Sequence, residues 1–148
     1  MTQKNQRTIQ TEIIIDAPKE RVWEILVDFG KYPQWNPFML ELIGRAASGE
    51  KLKVTMQPPG QKPTVFKPVV QTAEPFKHFE WLGKMPINMF IGRHSMAIEE
   101  LSEKRVRFIH SEQFSGWLAG FILKKVGNAT REGFIAMNKA LKEQAEQV

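Results

Sequence analysis

The sequence predicts one α+β domain, in which a seven-stranded antiparallel sheet packs against a long C-terminal helix. Between Met39 and Phe114 the chain alternates apolar and polar residues in short segments, which is typical of strands with one buried face. After Gly116 apolar residues recur at helical spacing as far as Glu146. The length of 148 residues is that of a single domain, so we expect residues 1–148 to form one unit.

The first part of the chain predicts a strand and two short helical pieces. β-Branched residues over Thr8–Asp16 indicate the strand, and Pro18 suits the first turn of the helix that follows. Gly30 ends that helix. The stretch DFGKYPQWNPF comes next, and its two prolines interrupt the chain. We interpret its aromatic rings as anchors of a turn and of the core rather than as a binding site.

Six alternating segments then predict six further strands. Residues rich in Gly, Pro, Ser and Lys separate them. Residues 50–70 predict a hairpin with PPGQKP as its loop, and residues 96–110 predict another that turns at SEK. The six segments are Met39–Gly44, Lys51–Gln57, Thr64–Glu74, His78–Gly83, His94–Leu101 and Val106–Phe114.

The composition excludes several classes of function. There are no cysteines, which excludes disulfides and thiol chemistry and fits a reducing compartment. Apolar runs are far shorter than the ~20 residues that span a bilayer, and the N-terminus lacks the apolar segment of a signal peptide, so we expect a cytoplasmic protein.

The net charge is +5, but the basic residues are scattered. This favours a solvated surface over a nucleic-acid site and leaves weak attraction to anionic membranes open.

Strand alternation places three polar residues on apolar faces. His110 and Glu112 share a face with Phe108, and His94 shares a face with Met96. A histidine and a carboxylate in an apolar pocket can act as a general base and its orienting partner, or can hydrogen-bond a ligand. The alternative is a satisfied His–Glu pair that only holds two strands together.

Motifs for other chemistries are missing from the sequence. It contains no GxGxxG, P-loop, GxSxG or HExxH pattern, so we predict no cofactor. His94, His110 and Glu112 match a two-histidine, one-carboxylate metal set only in composition, and we predict no metal.

Two apolar stretches occur where a connection is usually polar. Lys84–Gly92 links two strands, and Ser115–Gly127 opens the last helix. Apolar connections need a partner, which is the core, a ligand, a membrane or another subunit. We interpret their large apolar residues as a gate, and these are Met85, Ile87, Met89, Phe90, Trp117, Leu118 and Phe121.

Five stretches together form an unusual combination of motifs. They are Ile15–Phe38, Phe79–Pro86, Gly92–Leu101, Phe108–Gly116 and Ala129–Glu146. In order and content they resemble the START-like, helix-grip superfamily, and within it the polyketide cyclase/dehydrase-type (SRPBCC) proteins. The resemblance implies a sheet that curls around the C-terminal helix and leaves an apolar cavity, with the two apolar stretches at its mouth. Members range from lipid and hormone carriers to cyclases, so no catalytic set carries over.

The leading hypothesis is a protein that binds an apolar or aromatic small molecule, lipid or polyketide-like, between the sheet and the last helix. The alternatives are a cyclase- or dehydratase-type enzyme that uses His110 and Glu112, and an interaction module without a ligand. We expect a monomer or weak homodimer with no nucleic-acid partner and no stable membrane insertion. The expected ligand contacts are Phe66, Trp81, Met96, Phe108, Phe134 and Met137 as the wall, and His94, His110 and Glu112 as the polar end.

Overall fold

The computed structural model describes residues 7–147, and these contain eight strands and three α-helices. Residues 1–6, where the absence of a signal peptide was expected, and residue 148 lie outside the described residues. Short 3-10 turns occupy Phe29–Lys31 and Pro86–Asn88. In chain order the elements are β1 (Arg7–Ile15), α1 (Lys19–Val27), α2 (Tyr32–Trp35), β2 (Met39–Ile43), β3 (Lys53–Met56), β4 (Thr64–Phe66), β5 (Val69–Glu74), β6 (His78–Lys84), β7 (Ile91–Ser102), β8 (Arg105–Ser115) and α3 (Ala119–Glu146).

The strands form two antiparallel sheets, so the prediction of a single seven-stranded sheet is wrong in this respect. One sheet has the order β1-β8-β7-β6-β5 and the other β2-β3-β4. The predicted strand Thr64–Glu74 is two strands, because Pro68 has no N–H to donate to a ladder. A bridge between Lys51 and Val69 and a 2.8 Å hydrogen bond from the amide of Leu52 to the carbonyl of Pro68 join the two sheets there.

The two predicted hairpins and the long helix are confirmed. β3 pairs antiparallel with β4, and β7 pairs antiparallel with β8. The helix α3 packs against β1, β8 and α1, which is the helix-grip arrangement. No helix within residues 7–147 is long and apolar enough to cross a bilayer.

The aromatic stretch between α1 and β2 packs into the core, as the sequence predicts. Tyr32 is fully buried, and its hydroxyl donates a 2.6 Å hydrogen bond to the carbonyl of Leu26. Burial raises the pKa of this phenol. Trp35 packs edge-on against the Tyr32 ring, with the ring centroids 5.3 Å apart. Phe38 differs from these rings, because it also reaches a cavity.

The closed core lies beneath the C-terminal half of α3. Phe134 and Leu141 are fully buried there, whereas Val126 in the N-terminal half is only partly buried because it faces the cavity. Gly133 marks the boundary between the two halves. A Cβ at this position would lie 2.6 Å from Cε1 of Phe38, so the missing side chain lets the Phe38 ring pack directly on the helix.

Candidate functional site

A cavity of about 710 Å³ lies between the N-terminal half of α3 and strands of both sheets. This volume falls within the roughly 300–1,000 Å³ of sites for small organic molecules. Three glycines and three uncharged polar residues complete a lining that is otherwise apolar or charged. The apolar lining residues are Phe38, Met56, Pro58, Phe66, Pro68, Trp81, Met85, Phe90, Phe114, Ile122, Leu123 and Val126. The charged ones are Lys62, Lys67, Lys84 and Glu112.

Glu112 is the acidic residue of this lining. The register between β7 and β8 places it directly opposite His94. Its side chain is 14% exposed. Gly92 makes room for it, because a Cβ at Gly92 would overlap with Oε2 of Glu112. The carboxyl therefore lies in a gap that a glycine creates at the cavity wall.

A chain of hydrogen bonds runs from Glu112 into the core. Oε1 of Glu112 lies 3.2 Å from Nδ1 of His94, and Nε2 of His94 lies 2.7 Å from Nε2 of His110. Nδ1 of His110 lies 2.9 Å from Oδ1 of Asn138. The Asn138 amide donates to Oγ1 of Thr11 over 2.9 Å, and the Thr11 hydroxyl donates to the His110 carbonyl over 3.1 Å.

The buried end of this chain determines which ring nitrogen of His110 carries its proton. Thr11 has one hydroxyl proton and gives it to a carbonyl, so its oxygen accepts from the Asn138 amide. Oδ1 of Asn138 then accepts from Nδ1–H of His110. Burial, and next the proximity of His94, lower the pKa of His110 well below 6.5, against the opposing effect of the Asn138 hydrogen bond. A neutral His110 accepts at Nε2 from Nε2–H of His94, so the contact between Nδ1 of His94 and Oε1 of Glu112 is a hydrogen bond when either of these two atoms carries a further proton.

Aromatic rings hold both imidazoles in place. Trp81 stacks on His94 with ring centroids 4.8 Å apart, and Phe134 stacks on His110 at 4.1 Å with an angle of 3° between the rings. Both histidines are fully buried. Because Trp81 also lines the cavity, it covers one face of His94 on that side.

The structure divides the predicted ligand contacts into two groups. Phe66, Trp81 and Glu112 line the cavity. His94 is buried next to this lining and contacts Glu112. The remaining five are buried in the core and do not line the cavity. These are Met96, Phe108, His110, Phe134 and Met137.

The carboxylate and the histidine of the expected catalytic pair are not directly bonded. His110 lies opposite Met96 in the β7–β8 register, and Glu112 lies opposite His94. The direct partner of Glu112 is therefore His94, and His110 contacts it only through His94. Residues two apart on a strand share a face, but pairing across strands decided which side chains meet.

The gate residues occupy three kinds of position. Met85 and Phe90 line the cavity. Met89 and Leu118 are partly buried and are joined by a 2.8 Å hydrogen bond from the Leu118 amide to the Met89 carbonyl. The other three are exposed to solvent, and these are Ile87, Trp117 and Phe121.

Sequence reasoning missed Thr11 and Asn138. The sequence pattern could have identified both, because each is a polar residue at a position where the pattern predicts a buried apolar one. Asn138 follows Phe134 by four positions on the buried face of α3, and Thr11 lies between Ile9 and Ile13 in the alternation of β1. It also missed the lining contributed by Phe38, Val126 and Thr130.

Within residues 7–147 no group of three or more His, Cys, Asp or Glu side chains is arranged to hold a metal ion. The Nε2 atoms of His94 and His110 are bonded to each other.

Comparison with known proteins gives the family and the fold. Residues 6–146 match the family described as polyketide cyclase / dehydrase and lipid transport. No curated protein matches the sequence significantly. Among solved structures, the chain is similar to the ZhuI aromatase/cyclase of Streptomyces sp. R1128, with a TM-score of 0.72, 14% identity, and 95% of this chain and 94% of that chain covered.

Two further solved structures have the same fold. Norcoclaurine synthase of Thalictrum flavum gives a TM-score of 0.71 at 14% identity, covering 95% of this chain and 94% of that chain. A START superfamily protein of Mycobacterium smegmatis gives 0.70 at 20% identity, covering 95% and 97%. These similarities establish the helix-grip fold. Because the family match extends over residues 6–146, the chain belongs to the polyketide cyclase / dehydrase and lipid transport family.

Proposed function

We propose that the protein binds an apolar or aromatic small molecule, lipid or polyketide-like, in the cavity beside α3. The observation that carries this proposal is the cavity itself, about 710 Å³ and lined mainly by apolar side chains. Water finds few hydrogen-bond partners along an apolar lining. An apolar ligand that displaces this water into bulk solvent is therefore favoured. Family membership supports the same class of ligand.

Glu112 is the polar anchor of the proposed site. Its Oε1 is engaged with His94, so Oε2 is the oxygen that can accept a hydrogen bond from a ligand hydroxyl. Lys62, Lys67 and Lys84 add positive charge to the lining. The expected ligand has an apolar body and an oxygen function that reaches Glu112.

The proposal extends to the setting of the protein. We take residues 1–148 as one cytoplasmic domain that acts as a monomer or weak homodimer. It needs neither a nucleic acid nor a cofactor. The scattered basic residues and the lack of cysteine support this setting.

A cavity-filling variant tests ligand binding. Val126→Trp places an indole in the cavity, and the matched control Ile135→Trp places one on the exposed side of the same helix. The probe is the fluorescent dye 1-anilinonaphthalene-8-sulfonate, titrated into each protein. We expect saturable binding by the wild type and by Ile135→Trp, and binding weaker by about tenfold or more for Val126→Trp, which corresponds to ~1.4 kcal/mol. Equal binding by all three would show that the dye does not enter the cavity.

Native mass spectrometry of gently purified protein would identify the natural ligand class. A co-purified small molecule should be present in the wild type and depleted in Val126→Trp. A wild type that carries no molecule and does not bind the dye saturably would favour an interaction module without a ligand.

A cyclase- or dehydratase-type enzyme is the second candidate, and the hydrogen-bond chain favours it. Glu112 and His94 together can take a proton from a bound molecule and return it. His110 does not line the cavity, so it would act indirectly. Its Nε2 accepts a hydrogen bond from His94 and thereby keeps the His94 proton on Nε2. With the co-purified molecule as substrate, Glu112→Gln should retain binding and lose turnover by roughly 10²–10⁴-fold. A wild type that leaves this molecule unchanged would be a carrier.

A further inference from the structure

Four apolar side chains protrude from two segments that also contribute residues to the cavity lining. Ile87 is 78% exposed, Trp117 62%, Phe121 59% and Met85 41%. We call these four residues the apolar rim. They come from the β6–β7 connection and from the start of α3, which are distant in the sequence. Exposed apolar clusters of this kind usually mark a surface that contacts a partner or a membrane.

The two segments of the apolar rim are fastened to each other. The indole N–H of Trp117 donates to the Ile87 carbonyl over 3.3 Å, and the Leu118 amide donates to the Met89 carbonyl over 2.8 Å. Gly116 has φ +103°, and a Cβ there would lie 2.7 Å from the Met89 carbonyl oxygen, so a side chain would push the segments apart. Ile87 has φ +50°, which is costly for a β-branched residue. The backbone therefore holds Ile87 outward at an energetic cost.

Basic residues are frequent in the segments that carry the apolar rim and line the cavity, and of these Arg93 pairs with Glu80 at 2.7 Å. Residues 81–98 and 113–131 contain five Lys or Arg and no Asp or Glu, and residues 51–73 contain four Lys and no Asp or Glu. Three of these lysines line the cavity. The ammonium of Lys125 lies 5.1 Å from the centre of the Phe121 ring. These segments thus combine apolar and positively charged groups.

Acidic residues at the other end of α3 are paired with bases. The Asp16 amide donates to the Glu146 carboxylate over 2.7 Å, and Asp16 pairs with Arg105 at 2.7 Å. Glu100 pairs with Lys19 at 3.3 Å. A helix of 28 residues is about 42 Å long, so these ion pairs and the apolar rim are far apart. Lys124 and Lys125, in contrast, form no ion pair among the described residues, so their positive charge beside the apolar rim is not neutralised.

We propose that the apolar rim and the lysines around it dock on the surface of an anionic lipid bilayer. Tryptophan and other large apolar side chains are favoured at the headgroup level, and lysines nearby are attracted to anionic lipids. A second copy of the chain suits this face less well, because two such faces would bring their lysines together. Docking turns the two segments toward the bilayer, and it does not depend on what the cavity holds.

Co-sedimentation of the full chain with lipid vesicles tests the proposal. We expect binding to vesicles of phosphatidylcholine with phosphatidylglycerol, weaker binding to phosphatidylcholine alone, and loss of binding at high salt.

Ile87→Asn removes an apolar side chain and places a residue that tolerates φ > 0, so the variant should fold. It should weaken binding about tenfold, the effect of withdrawing a buried aliphatic side chain. Lys124→Gln with Lys125→Gln should weaken binding about 25-fold, or about fivefold for each lysine.

Matched variants elsewhere on the surface provide the controls. Leu101→Asn removes an exposed apolar residue at the β7–β8 turn, and Lys139→Gln removes an exposed lysine in the closed half of α3. Both should leave vesicle binding unchanged. The proposal is overturned if the wild type does not bind anionic vesicles, or if Leu101→Asn weakens binding as much as Ile87→Asn. A wild-type dimer that Ile87→Asn dissociates, without any vesicle binding, would show that a second copy covers this face instead.

Discussion

The two halves of α3 form one continuous helix but meet different surroundings. From Gly133 to Ala145 the inward stripe is buried against the sheet, whereas Ile122 to Thr130 contribute to the cavity wall. Both stripes are apolar, so their composition does not distinguish them. The Phe38 ring separates them, since it packs against Gly133 and also lines the cavity. The same helical pattern can therefore serve as core or as binding wall.

The hydrogen-bond chain crosses from one half to the other. Its buried end, at Thr11 and Asn138, lies in the closed half, and Glu112 lies at the cavity. The closed half therefore determines which ring nitrogens of His110 and His94 donate and which accept. In this way a well-packed core can control the chemistry of a more open region.

The glycines of α3 give the largest expected contrast between the two halves. In a helix interior Gly→Ala normally stabilises by about 1 kcal/mol, but a Cβ at Gly133 meets the Phe38 ring, and overpacking costs about 1–3 kcal/mol. We expect Gly133→Ala to lower the free energy of unfolding by ~1 kcal/mol net, measured by urea denaturation.

Gly127→Ala is the matched control in the open half. The nearest atom to a Cβ there is Cβ of Leu123 at 3.8 Å, which is an ordinary contact. This variant should be stabilised by about 0.5–1 kcal/mol. If both alanine variants gain stability equally, the boundary at Phe38 is loosely packed and the contrast between the halves fails.

The pH dependence of stability should reveal the buried histidine. Unfolding returns the pKa of His110 from its lowered native value toward 6.5, so the unfolded chain binds more protons below that pH. The contribution of neutral His110 to stability is therefore fully present above about pH 6.5 and is lost as the pH falls below it. We expect a decrease of about 1 kcal/mol in the free energy of unfolding between pH 7 and 5.5.

Two histidine variants assign this pH dependence. His110→Gln should abolish most of the decrease between pH 7 and 5.5, although it lowers stability at every pH. His78→Gln, which changes a partly exposed histidine, should retain it. A decrease that is unchanged in His110→Gln would mean that another group causes it.

The smallest expected effect on stability comes from the glycine beside Glu112. Gly92→Ala overlaps with the end of a flexible side chain, so the carboxyl can move aside at a cost below about 1 kcal/mol. The displaced carboxyl should nevertheless shift the ring ¹⁵N and ¹H NMR signals of His94. Gly83→Ala is the control, because Gly83 also lines the cavity but has only Cβ of Pro68 nearby, at 3.8 Å. Equal shifts in both variants would show that Gly92 does not position Glu112.

Periodicity along the chain was sufficient for the elements and their faces. Alternation in β7 and β8 placed His94, His110 and Glu112 on the inward side, and the helical period identified the stripe of α3. These patterns are local, since a side chain two residues along a strand returns to the same face whatever lies opposite. The failure at Thr64–Glu74 was also local, because Pro68 was visible in the sequence and its missing N–H divides that segment.

The sequence by itself determined which faces are apolar, where the chain turns and that the fold is α+β. Only the tertiary structure decided which apolar residues meet the cavity and which meet one another. Phe66 and Phe108 have the same hydrophobic character, but one lines the cavity and the other is sealed in the core. The pairing of His94 with Glu112 required the β7–β8 register, and the cavity boundary required the contact between Phe38 and Gly133. Periodicity reports the direction of a side chain, whereas the distance to what faces it depends on how distant segments pack.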